Sequence, residues 1–585
     1  MNDTAELKNY LDNPAAADAW LRSLGVLDMK HAHAALVHIA EAGVTLDLLV
    51  VMARQLERCL PRCADPDMAL NNLDRFVGSA RSPLALGTLF ERDSDALPTL
   101  VQILSTSQHF SDLLAADPEI FDLLRMTEGR PVARVTLVGE LVAEVEALES
   151  DGAVLRALRR FKRRETMRIA YGDIVRGQPL QTVTAQISYL ADALLEGALR
   201  AAGRTLGRQR GTPMRSDGRP ARFTILGMGK LGGLELNYSS DIDLIYLYDE
   251  DGRTDGHRSI ANSEFFDSLA REITCLMTES TDLGAAWRVD LRLRPEGARG
   301  KVCPSMVQAL GYYDLRGRTW ERQAFIKARP VAGSLAFGQE LLGQLSPWIY
   351  RRYLSRADIS GIKALKRRIE RQSHRGGVNT RDVKIGRGGI RDIEFVIQFL
   401  QLLNGADLPE LRTGNTLEAI MQLEKVGCLS DLERSILEGN YRFLRRIEHL
   451  LQIMFDLQTH TLPGQREELR KLALRMGYRD NGRQVALRQF EADFAERTDL
   501  NRRILDHLLN DAFRDDARTE AESDLVLDPD PGESRIADVL GRYSFRDVKQ
   551  AHRNLMSLAE ERCGFLSTRR CRHFLAAIAP QLLQA

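Results

Sequence analysis

The chain has 585 residues, too many for one hydrophobic core, so about two to four domains are expected. Lysine plus arginine equals aspartate plus glutamate at 81 each, which leaves no net charge and no global field to recruit nucleic acid. Seven cysteines form no C-x-x-C pair, and Cys59 and Cys63 stand one helical turn apart without a second pair; this argues against structural zinc and suits a reducing cytoplasm. The N-terminus, MNDTAELKNYLDN, carries early acids and no apolar signal core, and Leu46 to Ala53 is far too short to span a bilayer. A soluble, cytoplasmic protein with no membrane contact is expected.

Residues 1 to 130 alternate helix-length apolar patterns with short breaks, as in HAALVHIAEAG and LDLLVVMARQLERCL. Leu100, Leu104, Phe110, Leu113 and Leu114 mark one face at helical spacing, so this region reads as all-helical. Leu155 to Ile174 then holds the densest basic run, with Arg159, Arg160, Lys162, Arg163 and Arg164. Leu158, Phe161, Met167 and Ile169 supply an apolar stripe beside it, which favours a helix with one solvated face over a nucleic-acid patch.

The centre of the chain is Phe223 to Tyr248, FTILGMGKLGGLELNYSSDIDLIYLY. Two apolar runs read as buried strands, joined by a loop with Gly227, Gly229, Gly232 and Gly233. On the second strand Asp241 and Asp243 share a face, since residues two apart point the same way. Two carboxylates so placed repel, and burying them is costly without a cation; hard oxygen donors suit Mg²⁺, which also takes substrate phosphates. In WRVDLRLRPEG, alternation puts Asp290, Arg292 and Arg294 on one strand face, a third acid followed by two guanidinium groups able to grip phosphate. The alternative is an ordinary amphipathic strand with a salt-bridged outer face.

Two familiar motifs fail here. Gly227-Met228-Gly229-Lys230-Leu231-Gly232 matches G-x-G-x-x-G, but the acid-bearing strand begins nine residues after Gly232, leaving little room for the crossover helix of a dinucleotide fold. Gly229-Lys230 is followed by Leu231, where a P-loop needs Ser or Thr to reach Mg²⁺. A glycine loop, an Asp-x-Asp strand and a third Asp on a later strand resemble the nucleotidyltransferase superfamily of DNA polymerase beta type. The loop's Gly232-Gly233, in place of the usual Gly-Ser, together with ELNYSSDIDLI, is similar to the signature of the bifunctional glutamine synthetase adenylyltransferase/adenylyl-removing enzymes.

That resemblance implies an α+β, predominantly helical protein, with a polymerase-beta-like sheet domain flanked by helical domains. It implies that Asp241, Asp243 and Asp290 are catalytic and hold Mg²⁺. Gly227, Gly229, Lys230, Gly232, Gly233, Ser239, Ser240, Arg292 and Arg294 would then meet nucleotide or phosphate. Arg322, Lys327 and Arg329, in a stretch similar to the family's TWERQALIKAR, either line a nucleotide pocket or satisfy acids. A second glycine loop, DVKIGRGGIRDIEF, precedes an apolar helix, so its backbone N–H groups and Lys384, Arg387 and Arg391 favour an anion. The plainer reading is a capped helix; the resemblance gives Lys384, Arg387 and Gly388 phosphate contact. His449 and His460 lack partners at metal-ligand spacing and read as structural, and Glu448-His449-Leu450-Leu451-Gln452 departs from the family's Glu-His-Arg-Leu-Gln, which argues against a catalytic part for that helix.

The expected division is 1–130 helical, 131–345 catalytic, 346–513 a helical bundle, 514–535 a linker, and 536–585 the opening of a second helical region. The family consists of two tandem halves, and the chain is expected to hold the first and the beginning of the second. Asn237 and Ile242 match the adenylyl-removing half, which implies phosphorolysis of an adenylyl–tyrosine bond: orthophosphate enters and ADP leaves. The implied partners are glutamine synthetase and a PII-type signalling protein, with ADP or ATP as nucleotide. Adenylyl addition from ATP, uridylylation of a PII-type protein, and a non-catalytic docking scaffold are the alternatives.

Overall fold

The computed structural model describes residues 4–350, 381–455, 459–480 and 485–512, and beyond these 521–527, 531–545, 547–560, 575 and 578–584. Its first third is helical throughout, and the helix starts are written into the sequence. Asp65 and Ser82 each accept the N–H three residues on, from Met68 and Ala85, while Pro66 and Pro83 occupy the first helical position, where no N–H is needed. The apolar faces close on one core that includes Leu73, Phe90, Leu97, Leu100 and Leu124.

Among the described residues six strands follow: β1 (Pro213–Met214), β2 (Phe223–Gly227), β3 (Ile242–Tyr248), β4 (Arg253–Thr254), β5 (Val289–Asp290) and β6 (Arg329–Gly333). β1 and β4 form a small ribbon, and the main sheet has the order β5-β3-β2-β6. β2 is antiparallel to β3 and β6, whereas β3 and β5 run parallel. The antiparallel β2–β3 pair needs only a tight connection, which is why the glycine loop cannot belong to a parallel dinucleotide fold. Strand alternation divides the sheet between two cores. Ile225, Leu244 and Tyr246 pack against the helices Leu180–Arg210 and Asn262–Thr278, and Leu226, Ile245 and Leu247 pack with Tyr313, Phe337 and Trp348 on the other face. Both faces are covered, so an Ile245→Ala change would cost about 2–5 kcal/mol from lost burial and the cavity left behind.

A bundle of Ile390–Asn404, Thr416–Lys425, Asp431–Phe455, Arg466–Arg475 and Ala486–Ala512 closes the described globular part around Ile393, Leu444, Leu451 and Phe490. It also meets the N-terminal helices, where Lys471 pairs with Asp65 at 2.7 Å. No described helix is long and apolar enough to cross a membrane.

Three expectations need correction. The basic run on the helix Asp151–Ile174 is not one solvated face: Arg159 is buried and donates to the carbonyls of Leu276 and Glu279 at the end of the Asn262–Thr278 helix. Lys162 lies over the Trp287 ring and Arg168 pairs with Glu165. Carbonyl ends of a neighbouring helix are a natural seat for cations. The second correction concerns Arg292 and Arg294: β5 ends at Asp290, and both arginines lie in the turns after it rather than alternating along a strand. In the third, Ala521–Leu527 within the expected linker is helical and buries Leu525 and Val526; residues 514–520 and 528–530 lie outside the described residues.

Candidate active site

The site forms where β2, β3 and β5 end together. After Gly227 the chain makes one helical turn, Gly229–Gly232, tied to the strand behind it by the Met228 N–H bonding the Asp243 carbonyl at 2.9 Å. Two glycines are required by geometry. Gly229 has φ +53° and brings its backbone so close to Asp243 that an added Cβ would lie 3.1 Å from Oδ2, and at Gly232 an added Cβ would lie 1.6 Å from the Lys327 carbonyl oxygen. The loop therefore leans over Asp243 at one end and packs against the chain before β6 at the other.

The parallel register sets Asp243 beside Asp290, with Ile242 beside Val289. Neighbouring strands are about 4.8 Å apart, and paired residues project to the same side. Asp241 stands just before β3. Burial pushes the Asp243 carboxyl up to about 6, with Asp290 and then Asp241 adding repulsion. Asp290 goes the other way, held below its usual value by hydrogen bonds from Arg292, whose side chain reaches it at 2.5 Å. Asp241 accepts from Arg288 Nε at 2.6 Å. An open cleft of about 550 Å³ runs along this edge, lined by Asp241, Arg288, Asp290, Arg292 and Arg294.

Among the described residues no group of three or more His, Cys, Asp or Glu side chains forms a ready metal cage. Two of the three aspartates are turned onto guanidinium groups, Arg288 and Arg292. The donor set nevertheless suits a hard divalent cation: the carboxylates of Asp241, Asp243 and Asp290 stand at one strand end, and the middle one is destabilised as an anion by burial first and by the other two next.

Lys230 is at the loop but bonds Glu448 at 2.6 Å, and burial draws it down to about 8 against that pairing. Lys384 comes near enough to Asp243 and Lys230 to act on both electrostatically. Ser239 and Ser240 are buried, and their carbonyls receive Arg288 Nη2 at 2.6 Å and Trp287 Nε1 at 2.7 Å, so the two serines frame the turn before Asp241. Arg294 donates to the carbonyls of Leu291 and Ala298 and so holds its own turn. Gly233 sits against the Gly414 carbonyl and the Glu235 carboxylate, 2.7 and 3.0 Å from where an added Cβ would stand.

The second glycine loop differs from the expected anion cradle. The N–H groups of Lys384 and Ile385 bond Asp382, that of Gly386 bonds the Asp382 carbonyl, that of Gly388 bonds Asp392, and that of Gly389 bonds the Gly386 carbonyl. Gly388, at φ +71°, packs so closely on the Ala486–Ala512 helix that an added Cβ would be 2.0 Å from the Thr498 carbonyl. This loop packs the start of the Ile390–Asn404 helix against the Ala486–Ala512 helix. Lys327 and Arg329 satisfy acids: Lys327 bonds Glu235 and Glu394, and Arg329 grips Asp192 with both terminal nitrogens. Arg322 is buried beside the Ile349 carbonyl. His449 meets Asp173 at 2.8 Å and His460 lies 3.0 Å from Glu448.

Sequence reasoning missed Arg288, Glu235 and Arg445, and it set Glu448 and Gln452 aside with a helix read as non-catalytic. The signal for the last three was present: polar residues at helical spacing in a stretch otherwise apolar enough to be buried.

A family model described as glutamate-ammonia ligase adenylyltransferase matches residues 97–344, and one described as GlnD PII-uridylyltransferase matches residues 363–509. The second match falls on the bundle, outside the sheet with the three aspartates. The chain is similar to proteins named bifunctional glutamine synthetase adenylyltransferase/adenylyl-removing enzyme. It is 36% identical to that of Thioalkalivibrio sulfidiphilus over 72% of this chain and 43% of the relative. It is 36% identical to that of Pseudomonas aeruginosa over 69% and 41%, and 35% identical to that of Xanthobacter autotrophicus over 86% and 50%. The chain thus spans about half the length of the curated relatives it matches.

Proposed function

The chain belongs to the glutamate-ammonia ligase adenylyltransferase family, a family of nucleotidyltransferase enzymes, and from that premise we propose that it removes AMP from an adenylylated tyrosine of glutamine synthetase. The reaction is a Mg²⁺-dependent phosphorolysis in the control of nitrogen assimilation. The observation that supports it is the meeting of Asp241, Asp243 and Asp290 at one sheet edge, under a glycine loop and beside Arg288 and Arg292. Enzymes of this class generally work with a divalent metal, and Mg²⁺ held by the three aspartates would supply charge neutralisation at the α-phosphate.

The chain's own residues supply alignment. No side chain caps the first turn of the Gly229–Gly232 helix, so its leading N–H groups can meet a phosphate oxygen above Asp243. Lys230, Lys384 and Arg292 add positive charge around that point, and Arg292 is free to exchange Asp290 for the incoming orthophosphate because its side chain is mostly exposed. Phosphate oxygen bonds to the α-phosphorus, the bond to the tyrosine oxygen breaks, ADP leaves, and the phenolate takes a proton from solvent. Orthophosphate is already anionic near neutral pH, so no dedicated base is required. The direction rests on Asn237 and Ile242, which match the removing half of the family. A PII-type signalling protein is the proposed regulator.

A second reading is adenylyl addition from ATP at the same site, favoured by the relatives' names, which carry both activities. The test is release of ADP from adenylylated glutamine synthetase on adding phosphate and Mg²⁺, comparing the parent with the Asp241→Ala/Asp243→Ala variant. Release by the parent alone supports removal; no release, with adenylylation of unmodified synthetase by ATP, reverses the direction.

A further inference from the structure

One stripe of the Asp431–Phe455 helix holds the back of the glycine loop. Arg445, Glu448, His449 and Gln452 stand at i, i+3, i+4 and i+7 on that helix, and all are buried. Arg445 Nη2 donates to the Glu235 carbonyl and, at 2.8 Å, to Asn237 Oδ1. Glu448 receives Lys230 Nζ at 2.6 Å on one oxygen and Asn237 Nδ2 at 2.8 Å on the other. Gln452 Oε1 receives the Ser239 N–H at 2.9 Å. His449 lies ring to ring with Tyr238 at 4.6 Å, and the same tyrosine meets Phe110 of the N-terminal helices at 5.6 Å.

These five hydrogen bonds fall on residues 230 to 239, the segment that starts in the glycine turn and ends two residues before Asp241. The sheet holds Asp243 through its ladder to β2 and β5, but that ladder starts at Ile242 and leaves Asp241 to its approach segment. Leu444, Ile447 and Leu451 of the same helix already bury themselves in the bundle core, so the polar stripe is not needed to build the bundle. A buried ion pair is a poor source of net stability, whereas removing one partner leaves the other charge buried and uncompensated.

We propose that Glu448 and Gln452 are positioning residues of the nucleotidyltransferase site, holding Lys230 and the Ser239 backbone so that the glycine turn and Asp241 address the same phosphate. The proposal rests on the nucleotidyltransferase reading above. In consequence the helical bundle takes part in shaping the site, although none of its residues in this stripe lies in the cleft.

The experiment compares the full chain with Glu448→Gln and Gln452→Met by amide hydrogen exchange and by steady-state AMP removal or addition. Expected are faster exchange across 229–241 with the bundle helices unchanged, and turnover lowered about 10- to 100-fold with the nucleotide KM far less affected. Uniformly faster exchange throughout the bundle, or unchanged turnover and unchanged exchange at 229–241, overturns the proposal. Should Glu448→Gln fail to fold, Gln452→Met, which removes one neutral acceptor, carries the test. If the parent neither removes nor adds AMP, the functional reading fails, and the exchange pattern still decides whether this stripe orders the loop.

Discussion

Glu235, Glu394 and Glu448 lie in the joint behind the glycine loop, and each meets a cation: Lys327 bonds the first two and Lys230 the third, with Arg445 beside Glu448. Asp241, Asp243 and Asp290 lie at the open end of the sheet, where Arg288 and Arg292 reach the outer two, and among the described residues no cation pairs with the Asp243 carboxylate. Burial alone would push Glu448 up, yet Lys230, His460 and Arg445 pull it well below the usual carboxylate range. Asp243 moves in the opposite direction. Matched acids serve architecture, and a buried acid with two more beside it marks a candidate functional site.

Among these charges Lys327 is the one whose removal should cost most. Burial opposes its charge, but Glu235 and Glu394 hold it above its usual value. Lys327→Met leaves two buried carboxylates unmatched and should lower unfolding free energy by about 3–5 kcal/mol, read by urea denaturation. Asp243→Asn should do the reverse in metal-free protein. The folded-state value of this carboxyl is raised from 3.8 to about 6, so its contribution is present below about 3.8 and lost as pH rises through about 6. The variant should therefore gain on the parent between pH 4 and 6, by up to about 3 kcal/mol above that range, while losing activity. A parent and variant of equal metal-free stability at pH 8 would remove the distinction between the two sets of acids.

Gly229→Ala sharpens the same contrast at the loop. The left-handed backbone should cost about 1–2 kcal/mol, and the methyl group beside Asp243 should reduce turnover by about 100-fold, the loss expected for misplacement of a reacting group by about 1 Å. The smallest effect belongs to Arg288→Ala. Its pair with Asp241 is half exposed, so stability should change by less than about 1 kcal/mol and the change should shrink in high salt, as thermal melts at two ionic strengths would show.

Local pattern was enough for the elements that matter most. The apolar runs around Gly227 and Asp243 are strands because alternating side chains must be buried on both sheet faces, and the helix starts at Pro66 and Pro83 follow from capping chemistry. The three aspartates of the candidate site were visible because carboxylates have little reason to recur in apolar strands. The run after Asp290 misled because alternation alone cannot distinguish a strand from a turn whose arginine binds its own carbonyls. The two glycine loops likewise look alike in sequence; their partners, Asp243 for one and the Thr498 carbonyl for the other, arrive from distant segments.

By itself, then, the sequence determined the periodic elements, the caps and the chemical character of the aspartate edge, because these depend on neighbours within a few residues. Only the tertiary structure decided that β5 lies parallel to β3 so that Asp290 meets Asp243, and that Glu448 and Gln452 close on residues more than 200 positions earlier. Hydrogen bonds and ion pairs act over a few ångströms of space, and sequence separation leaves no periodic trace of which buried donor will meet which buried acceptor.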